Sequence, residues 1–222
     1  MISIFQNFQG IDLLIYGGAF ILALLFSFAL HEWAHAYVAY KEGDPTAKAL
    51  GRLSINPLVH LDLFGSIFLV LFGFGWAKPV PVNTFNFRSG RKSEFKVGIA
   101  GIGVNLLMTL IFGFLYVLSC TFIGPDSVPI LQFVSALLLY LTTVPFILAI
   151  FNILPIFPLD GYNVLKAVVR NPNNAFFNFM EHYGMWVMLI LFITGAFSFV
   201  VNAMVINVLN PLLGLYGLIL GV

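Results

Sequence analysis

The sequence predicts an all-α membrane protein, a polytopic bundle of about five to six transmembrane helices. Hydrophobic residues make up 60% of the 222 positions and charged residues only 9%, whereas a soluble domain has about a quarter of its residues charged. Roughly six long apolar runs follow one another along the chain. The scarcity of charge therefore indicates that lipid, rather than water, covers most of the surface.

Composition also excludes several classes of protein. The formal net charge of +1 excludes a nucleic-acid binder held by bulk electrostatics. A single cysteine, Cys120, excludes an intrachain disulfide framework and a multi-cysteine metal site. We expect one transmembrane domain over residues 1–222, with its core at about 11–170 and C-terminal helices at about 182–221.

The apolar runs and turn signals predict the elements in order. They are a span at Ile11–Tyr40, a short run at Leu61–Trp76, spans at Phe95–Thr121 and Ile130–Leu154, a short interfacial helix at Tyr162–Val169, and a final pair at Tyr183–Val201 and Ala203–Leu220. As a helix, the short run would measure about 24 Å, less than the roughly 30 Å hydrocarbon core. The segment Ala77–Asn83, AKPVPVN, alternates like an edge strand and predicts a small β-strand element near the site, although a proline-stiffened connector fits equally well.

The positions of the basic residues predict the topology. All ten Lys and Arg residues fall on one side of the membrane if Leu61–Trp76 enters the bilayer and returns instead of crossing it. If this run crossed, the two basic loops that flank it would lie on opposite sides. We therefore predict a re-entrant or short segment, five crossings and an N-terminus on the non-basic side.

The first span carries the motif HEWAH at positions 31–35. His31 and His35 share one helical face, with their Cβ atoms about 6 Å apart. This spacing allows both imidazoles to bind one Zn²⁺, with Glu32 beside the metal as a candidate general base. Ionisable residues inside an apolar helix usually mark a functional site, although a polar helix-packing network is the alternative.

A catalytic zinc ion needs a third protein ligand and leaves a fourth position for water. The candidates near the basic side are His60, Asp62, Asp160, Glu181 and His182. Asp160 follows the run Ile130–Leu154, where Pro155 and Pro158 stop the helix. Because the chain has then returned to the side where His35 lies, we predict that Asp160 is the third ligand. The alternative is that Asp160 caps the short helix that follows it.

Three stretches together resemble the site-2 proteases, a family of intramembrane zinc metalloproteases. They are HEWAH at 31–35, AGIGVN at 100–105 and NILPIFPLDG at 152–161. The stretches GRLSINPLVHLDLFG at 51–65 and GWAKPVPVN at 75–83 resemble the compact prokaryotic branch, without PDZ or CBS domains. The resemblance implies one Zn²⁺ per chain, held by His31, His35 and Asp160, with Glu32 as the base. One difference is Ile102, where many members have proline.

The resemblance also implies roles for two asparagines. Asn105 and Asn152 correspond to family residues that handle the substrate backbone or the attacking water, and their amides could hydrogen-bond an oxyanion. For Asn105, an equally compatible role is a hydrogen bond between helices that Gly101 and Gly103 allow to approach closely. Asn152 lies beside the predicted ligand loop, which favours a functional role.

Four further polar residues are interpreted more simply. His60 and Asp62 could support the metal ligands from outside, but an interfacial polar pair is the simpler interpretation. Glu181 and His182 precede the fifth apolar span. We interpret them as interface anchors that face phospholipid headgroups.

These features predict a zinc metalloendopeptidase that hydrolyses peptide bonds in or near transmembrane segments, in regulated intramembrane proteolysis. The expected partners are a single-span transmembrane protein or peptide substrate and the lipid bilayer, with no nucleic acid. By the resemblance, we expect a multi-pass protein of a prokaryotic inner or plasma membrane, with its active site toward the cytoplasmic side. The alternatives are a membrane metal-ion transporter and a catalytically inactive zinc-binding scaffold. The later spans carry almost no ionisable residues, which disfavours the transporter.

Overall fold

The computed structural model describes residues 10–62, 65, 78–124, 127–169 and 174–221, and most of these residues are helical. The α-helices are α1 Gly18–Lys41, α2 Thr46–Ala49, α3 Arg91–Cys120, α4 Pro129–Asn152, α5 Asp160–Val168, α6 Ala175–Ile193, α7 Ala196–Met204 and α8 Asn210–Leu220. A π-helical segment, Leu13–Gly17, leads into α1, and a second, Val205–Leu209, joins α7 to α8. Short 3-10 helices occupy Pro57–Val59 and Thr84–Asn86.

Five helical stretches of the described chain are long and apolar enough to cross a membrane. They are Leu13–Lys41, Arg91–Cys120, Pro129–Asn152, Ala175–Ile193 and Ala196–Leu220. The prediction of an all-α polytopic membrane protein is therefore confirmed. The short helix predicted at Tyr162–Val169 is also found, as α5.

The final pair of spans differs from the prediction. The turn lies at Thr194–Gly195, where Gly195 has φ of +74°, and Asn202 lies inside α7. Glycine adopts this left-handed conformation at little cost, so α6 ends before Gly195 rather than at the predicted break between Val201 and Ala203. Helix α6 also begins about two turns earlier than predicted, because the Asn174 side chain accepts the N–H groups of Phe176 and Phe177 as an N-cap.

Three long helices form the centre of the bundle. Helices α1, α3 and α4 pack against one another pairwise, and α5 packs against α3. Ala23, Met108 and Leu141 contribute one buried residue from each of these three long helices to a shared core. Small side chains along α1, such as Ala29 and Ala36, are fully buried and allow the backbones to approach closely. The site described below lies where α1 and α3 meet α5.

The predicted re-entrant run, Leu61–Trp76, lies almost entirely outside the described residues, but its flanks are described. The N–H of Lys78 donates to the carbonyl of His60 at 2.8 Å, and the N–H of Arg88 donates to the carbonyl of Glu42 at 2.9 Å. The chain before this run and the chain after it therefore lie at the same end of the bundle. Re-entry itself stays a prediction.

The small β-strand elements predicted near the site are not found in the described part of the chain, where no strand is assigned. Residues Lys78–Asn83, called the strap below, are irregular in secondary structure. Pro79 and Pro81 have no N–H and so cannot contribute donors to a strand ladder. Ala77, the first residue of the predicted strand, lies outside the described residues.

Candidate metal centre

Three side chains that can bind a metal converge at one point. His31 and His35 lie one turn apart on α1, and Asp160 is the first residue of α5. The two Nε2 atoms are 3.1 Å apart, and each lies 3.1 Å from Oδ2 of Asp160. The side chains are only 6%, 10% and 16% exposed. These three residues form a nearly equilateral triangle of ligand atoms, shielded from the surroundings.

The triangle fits a tetrahedral zinc ion. With ligands at about 2.0–2.1 Å, such an ion separates its ligand atoms by about 3.3–3.4 Å, close to the 3.1 Å found between each pair. Two imidazoles and one carboxylate are a common ligand set of catalytic zinc, which keeps a fourth position open. Ligands bind in their unprotonated form, so a cation would also offset the repulsion among the three converging lone pairs.

A compact turn presents Asp160. Helix α4 ends at Asn152, and the N–H groups of Ile156 and Leu159 then bond to carbonyls two and three residues earlier, both at 2.8 Å. Leu159 is the N-cap of α5, and no side-chain capping bond is made, so the alternative of Asp160 as a helix cap is wrong. Burial acts to raise the pKa of the Asp160 carboxyl, but the two imidazoles lower it well below its usual range, and the group is a carboxylate.

Gly161 is required by this turn, and its replacement should destabilise the protein. A Cβ at this position would lie 2.2 Å from the carbonyl oxygen of Ile153 and 2.5 Å from that of Leu154. Because both are backbone atoms, Gly161→Ala should displace the turn at a cost of about 1–3 kcal/mol. Thermal unfolding in detergent, followed by circular dichroism, would measure this as a lowered midpoint.

The matched control is Gly214→Ala, since a Cβ there meets no atom within 4 Å. This variant should unfold at the wild-type temperature or slightly above it, because alanine favours helix more than glycine does. A wild-type midpoint for Gly161→Ala would contradict the turn.

Hydrogen bonds from α3 orient both histidines. Nδ1 of His35 lies 2.7 Å from the carbonyl of Val97, which accepts its proton and leaves Nε2 unprotonated for a metal. Nδ1 of His31 lies 3.0 Å from Nδ2 of Asn105, and Oδ1 of the same amide is buried without a partner. A half-turn of the carboxamide gives Oδ1 the Nδ1 proton of His31. Asn105, which is 0% exposed, therefore supports a histidine.

Gly101 lets α3 approach the two imidazoles. A Cβ on Gly101 would lie 2.4 Å from Nε2 of His35 and 2.5 Å from Cε1 of His31. Gly103, two residues further along, has no atom within 4 Å of an added Cβ. Sequence reasoning treats both glycines alike, as aids to helix packing, whereas the structure places only Gly101 against the site.

Glu32 lies beside His31 on α1, and its carboxylate reaches the strap. Oε2 of Glu32 accepts the N–H of Val80 at 3.0 Å. No sequence pattern identifies Val80, because a backbone amide carries no residue-type signal. The candidate base is thus held by a group that sequence reasoning misses.

The other predicted residues are not members of the triangle, and their hydrogen bonds go elsewhere. Nδ2 of Asn152 donates to the carbonyl of Leu148 at 3.0 Å, within its own helix. Nε2 of His60 bonds to the carbonyl of Ser54 at 2.7 Å. Oδ1 of Asp62 accepts the N–H of Gly65 at 2.8 Å. His60 therefore supports the loop that leads toward the strap, rather than a metal ligand directly.

Helix α6 is tied to the helix that carries Asp160. Oε1 of Glu181 accepts the hydroxyl of Tyr162 at 2.7 Å and Nζ of Lys166 at 2.5 Å. Tyr162 is 2% exposed and packs edge-on against Phe177 of α6. Glu181 therefore also links α6 to α5, and its role as a headgroup anchor stays a prediction. We call this set of bonds from Glu181 to Tyr162 and Lys166 the clasp. Its only sequence signal is a lone acidic residue at the edge of an apolar run.

Comparison with known proteins relates the chain to named zinc metalloproteases. It is 42% identical over 184 residues to "Putative zinc metalloprotease YwhC" of Bacillus subtilis (strain 168), covering 81% of this chain and 82% of that protein. It is 28% identical to "Putative zinc metalloprotease Rip2" of Mycolicibacterium smegmatis, covering 82% and 71%, and of Mycobacterium tuberculosis (strain H37Rv), covering 81% and 70%. No family model and no solved structure matches. With such identity to YwhC over most of both chains, this protein belongs to the site-2 protease family of membrane zinc metalloproteases.

Proposed function

We propose that the chain is a zinc-dependent intramembrane endopeptidase that cleaves peptide bonds in or near transmembrane segments of other membrane proteins. One Zn²⁺ per chain would be held by His31, His35 and Asp160. The observation that carries this proposal is the triangle of ligand atoms with 3.1 Å sides, built on apolar helices long enough to span a membrane. Glu32 stands next to it on the same helix.

The proposed chemistry divides between the metal and the protein. When bound, zinc supplies a Lewis acid with one open position, which polarises a scissile carbonyl and lowers the pKa of water. Glu32 takes the proton from the attacking water and passes it to the leaving amine. Val97 and Asn105 keep the Nδ1 protons on the histidines, so that both Nε2 atoms carry lone pairs. The buried surroundings strengthen every electrostatic interaction within the site.

The proposed substrate is a single-span transmembrane protein or peptide. A helix hides its peptide bonds, so the substrate must unwind locally before hydrolysis, and its freed backbone groups then need partners. Asn152, at the end of α4 beside the turn that presents Asp160, is the residue we propose for a hydrogen bond to the substrate backbone or oxyanion. The enzyme would work in a prokaryotic inner or plasma membrane, with its site toward the cytoplasmic, Lys- and Arg-rich end.

Glu32→Gln tests the proposal. The amide cannot accept the proton, so cleavage should fall by about 10²–10⁴-fold, while zinc stays at about one ion per chain because the three ligands are intact. Zinc is measured by mass spectrometry on purified protein. Cleavage is measured on a reporter with one apolar helix of about 20 residues between two tagged soluble domains.

The matched control is Glu94→Gln, the same change at an acidic residue in the first turn of α3, which should cleave like wild type. Wild-type cleavage by Glu32→Gln would refute the mechanism. Full zinc occupancy with no cleavage by the wild type would favour a catalytically inactive scaffold, and zinc-dependent metal flux without cleavage would favour a transporter.

A further inference from the structure

The strap, Lys78–Asn83, contacts the proposed base through one backbone amide. The N–H of Val80 donates to Oε2 of Glu32 at 3.0 Å. Pro79 and Pro81, on either side of Val80, have no N–H. Within this Pro-Val-Pro tripeptide, Val80 therefore presents the only amide proton, and that proton is directed at Glu32. The prolines also restrict the backbone at and before each ring, which stiffens the strap locally.

One end of the strap is fixed to a buried histidine. The N–H of Lys78 donates to the carbonyl of His60 at 2.8 Å. The His60 ring is itself held, because it is 1% exposed and its Nε2 bonds to the carbonyl of Ser54 at 2.7 Å. The chain just before Val80 is therefore anchored to the loop that follows α2.

The other end is fixed to a buried carboxylate. Asp44 is 0% exposed, and its Oδ2 accepts the N–H of Asn83 at 2.7 Å. Its Oδ1 accepts Nδ2 of Asn86 at 2.8 Å and the N–H and hydroxyl of Thr46 at 3.1 and 2.5 Å. Burial acts to raise the pKa of the Asp44 carboxyl, but these hydrogen bonds lower it below its usual value. The anchor is charged, and its bonds are correspondingly strong.

The two ends connect the strap back to the helix that carries the base. Asp44 lies three residues after the end of α1, and its N–H donates to the carbonyl of Ala39 at 2.9 Å. The contacts thus form a closed ring, from Glu32 along α1 to Asp44, then through Asn83 and the strap to Val80, and back to Glu32. A donor held in such a ring keeps a fixed distance from the carboxylate.

We propose that the backbone N–H of Val80 is a positioning group that holds the carboxylate of Glu32 for proton transfer, an inference that rests on the proposed function. A glutamate side chain has several rotatable bonds, and a base must lie within about 2.6–3.2 Å of the proton that it takes. In this proposal the Val80 amide holds Oε2 of Glu32, and Oε1 takes the proton from the attacking water. Loss of one hydrogen bond to a charged group should lower kcat by about 10- to 100-fold.

Val80→Pro, which deletes this N–H, tests the inference in the full-length protein on the single-span reporter described above. We expect kcat to fall by about 10- to 100-fold, with KM and zinc content unchanged. Val80→Ala keeps the amide and should retain wild-type kcat. Val82→Pro introduces a proline on the other side of Pro81 and leaves the Val80 N–H that bonds to Glu32 in place. This variant should also retain the wild-type kcat.

A second comparison separates positioning from a merely structural role. In a Glu32→Gln background, Val80→Pro should cause no further loss of residual cleavage, because the group that it positions is already inactive. If Val80→Pro does not fold, Asp44→Asn takes its place, since it loosens the strap and keeps the Val80 amide. This variant should then lower kcat by a smaller factor at constant KM.

Three outcomes would overturn the inference. The first is that Val80→Pro (or Asp44→Asn, if that variant replaces it) changes neither kcat nor KM. The second is that KM rises while kcat stays constant. The third is an additive loss of cleavage in the Glu32→Gln background. The first would remove the positioning role, the second would make the strap a substrate-binding element, and the third would make it structural. None of these outcomes contradicts the proposed function, which fails instead if Glu32→Gln itself cleaves like wild type.

Discussion

Gly101→Ala is expected to abolish zinc binding and cleavage together. The added Cβ would lie 2.4 Å from Nε2 of His35 and 2.5 Å from Cε1 of His31, whereas contacts under 3.0 Å essentially never occur. Relief of the clash requires a shift of roughly 0.6 Å, which exceeds the tolerance of about 0.2 Å in metal–ligand distances. Zinc per chain, measured on purified protein after dialysis against a mild chelator, should fall from about one to near zero.

Gly103→Ala is the matched control on the same helix. An added Cβ there meets no atom within 4 Å, so zinc content and reporter cleavage should equal those of the wild type, and helix propensity favours alanine by up to about 1 kcal/mol. Retained helical content would confirm that Gly101→Ala fails at the site rather than in folding. Full zinc occupancy in Gly101→Ala would mean that α3 does not lie against the histidines.

Asp160→Ala should also lose both zinc and activity, for a different reason. The change removes the only carboxylate of the triangle and leaves two imidazoles, so zinc affinity should fall by more than the roughly 10- to 100-fold seen when an outer partner of a ligand is removed. The helix that carries the residue stays fixed, because Tyr162 and Lys166 still bond to Glu181. Competition with a fluorescent zinc chelator measures the affinity.

Asp12→Ala serves as the control, since it removes an exposed carboxylate just before the first span and should keep wild-type zinc affinity. Asp160→Ala protein that retains wild-type affinity would exclude Asp160 as the third ligand. The same experiment separates this variant from Glu32→Gln, in which activity alone is expected to disappear.

The spans were largely predictable because apolar length is a simple and redundant signal. The first three predicted spans lie close to Leu13–Lys41, Arg91–Cys120 and Pro129–Asn152. The boundary between the final two spans was not predictable, because hydropathy is nearly uniform there and the break depends on one backbone angle, at Gly195. The predicted break falls at Asn202, yet α7 continues through this residue without interruption.

The site was predictable where its chemistry resides in residue types and spacing. His31 and His35 follow from their separation on one helix, and Asp160 follows from the return of the chain to the same end of the bundle. Gly101 could not be separated from Gly103, because the two differ only in what packs against them. Val80 contributes through its backbone, which every non-proline residue possesses.

The clasp between α5 and α6 bears on how such a protein is made. His35 and Asp160 are 125 positions apart in the chain, and Glu181, which secures the helix of Asp160, is translated later still. During synthesis, a nascent chain that ends before the fourth span holds two histidines without the clasped helix that completes their ligand set. We therefore expect zinc to bind tightly only after α6 has been inserted, and under the proposed function a nascent chain that lacks α6 would not cleave its membrane neighbours.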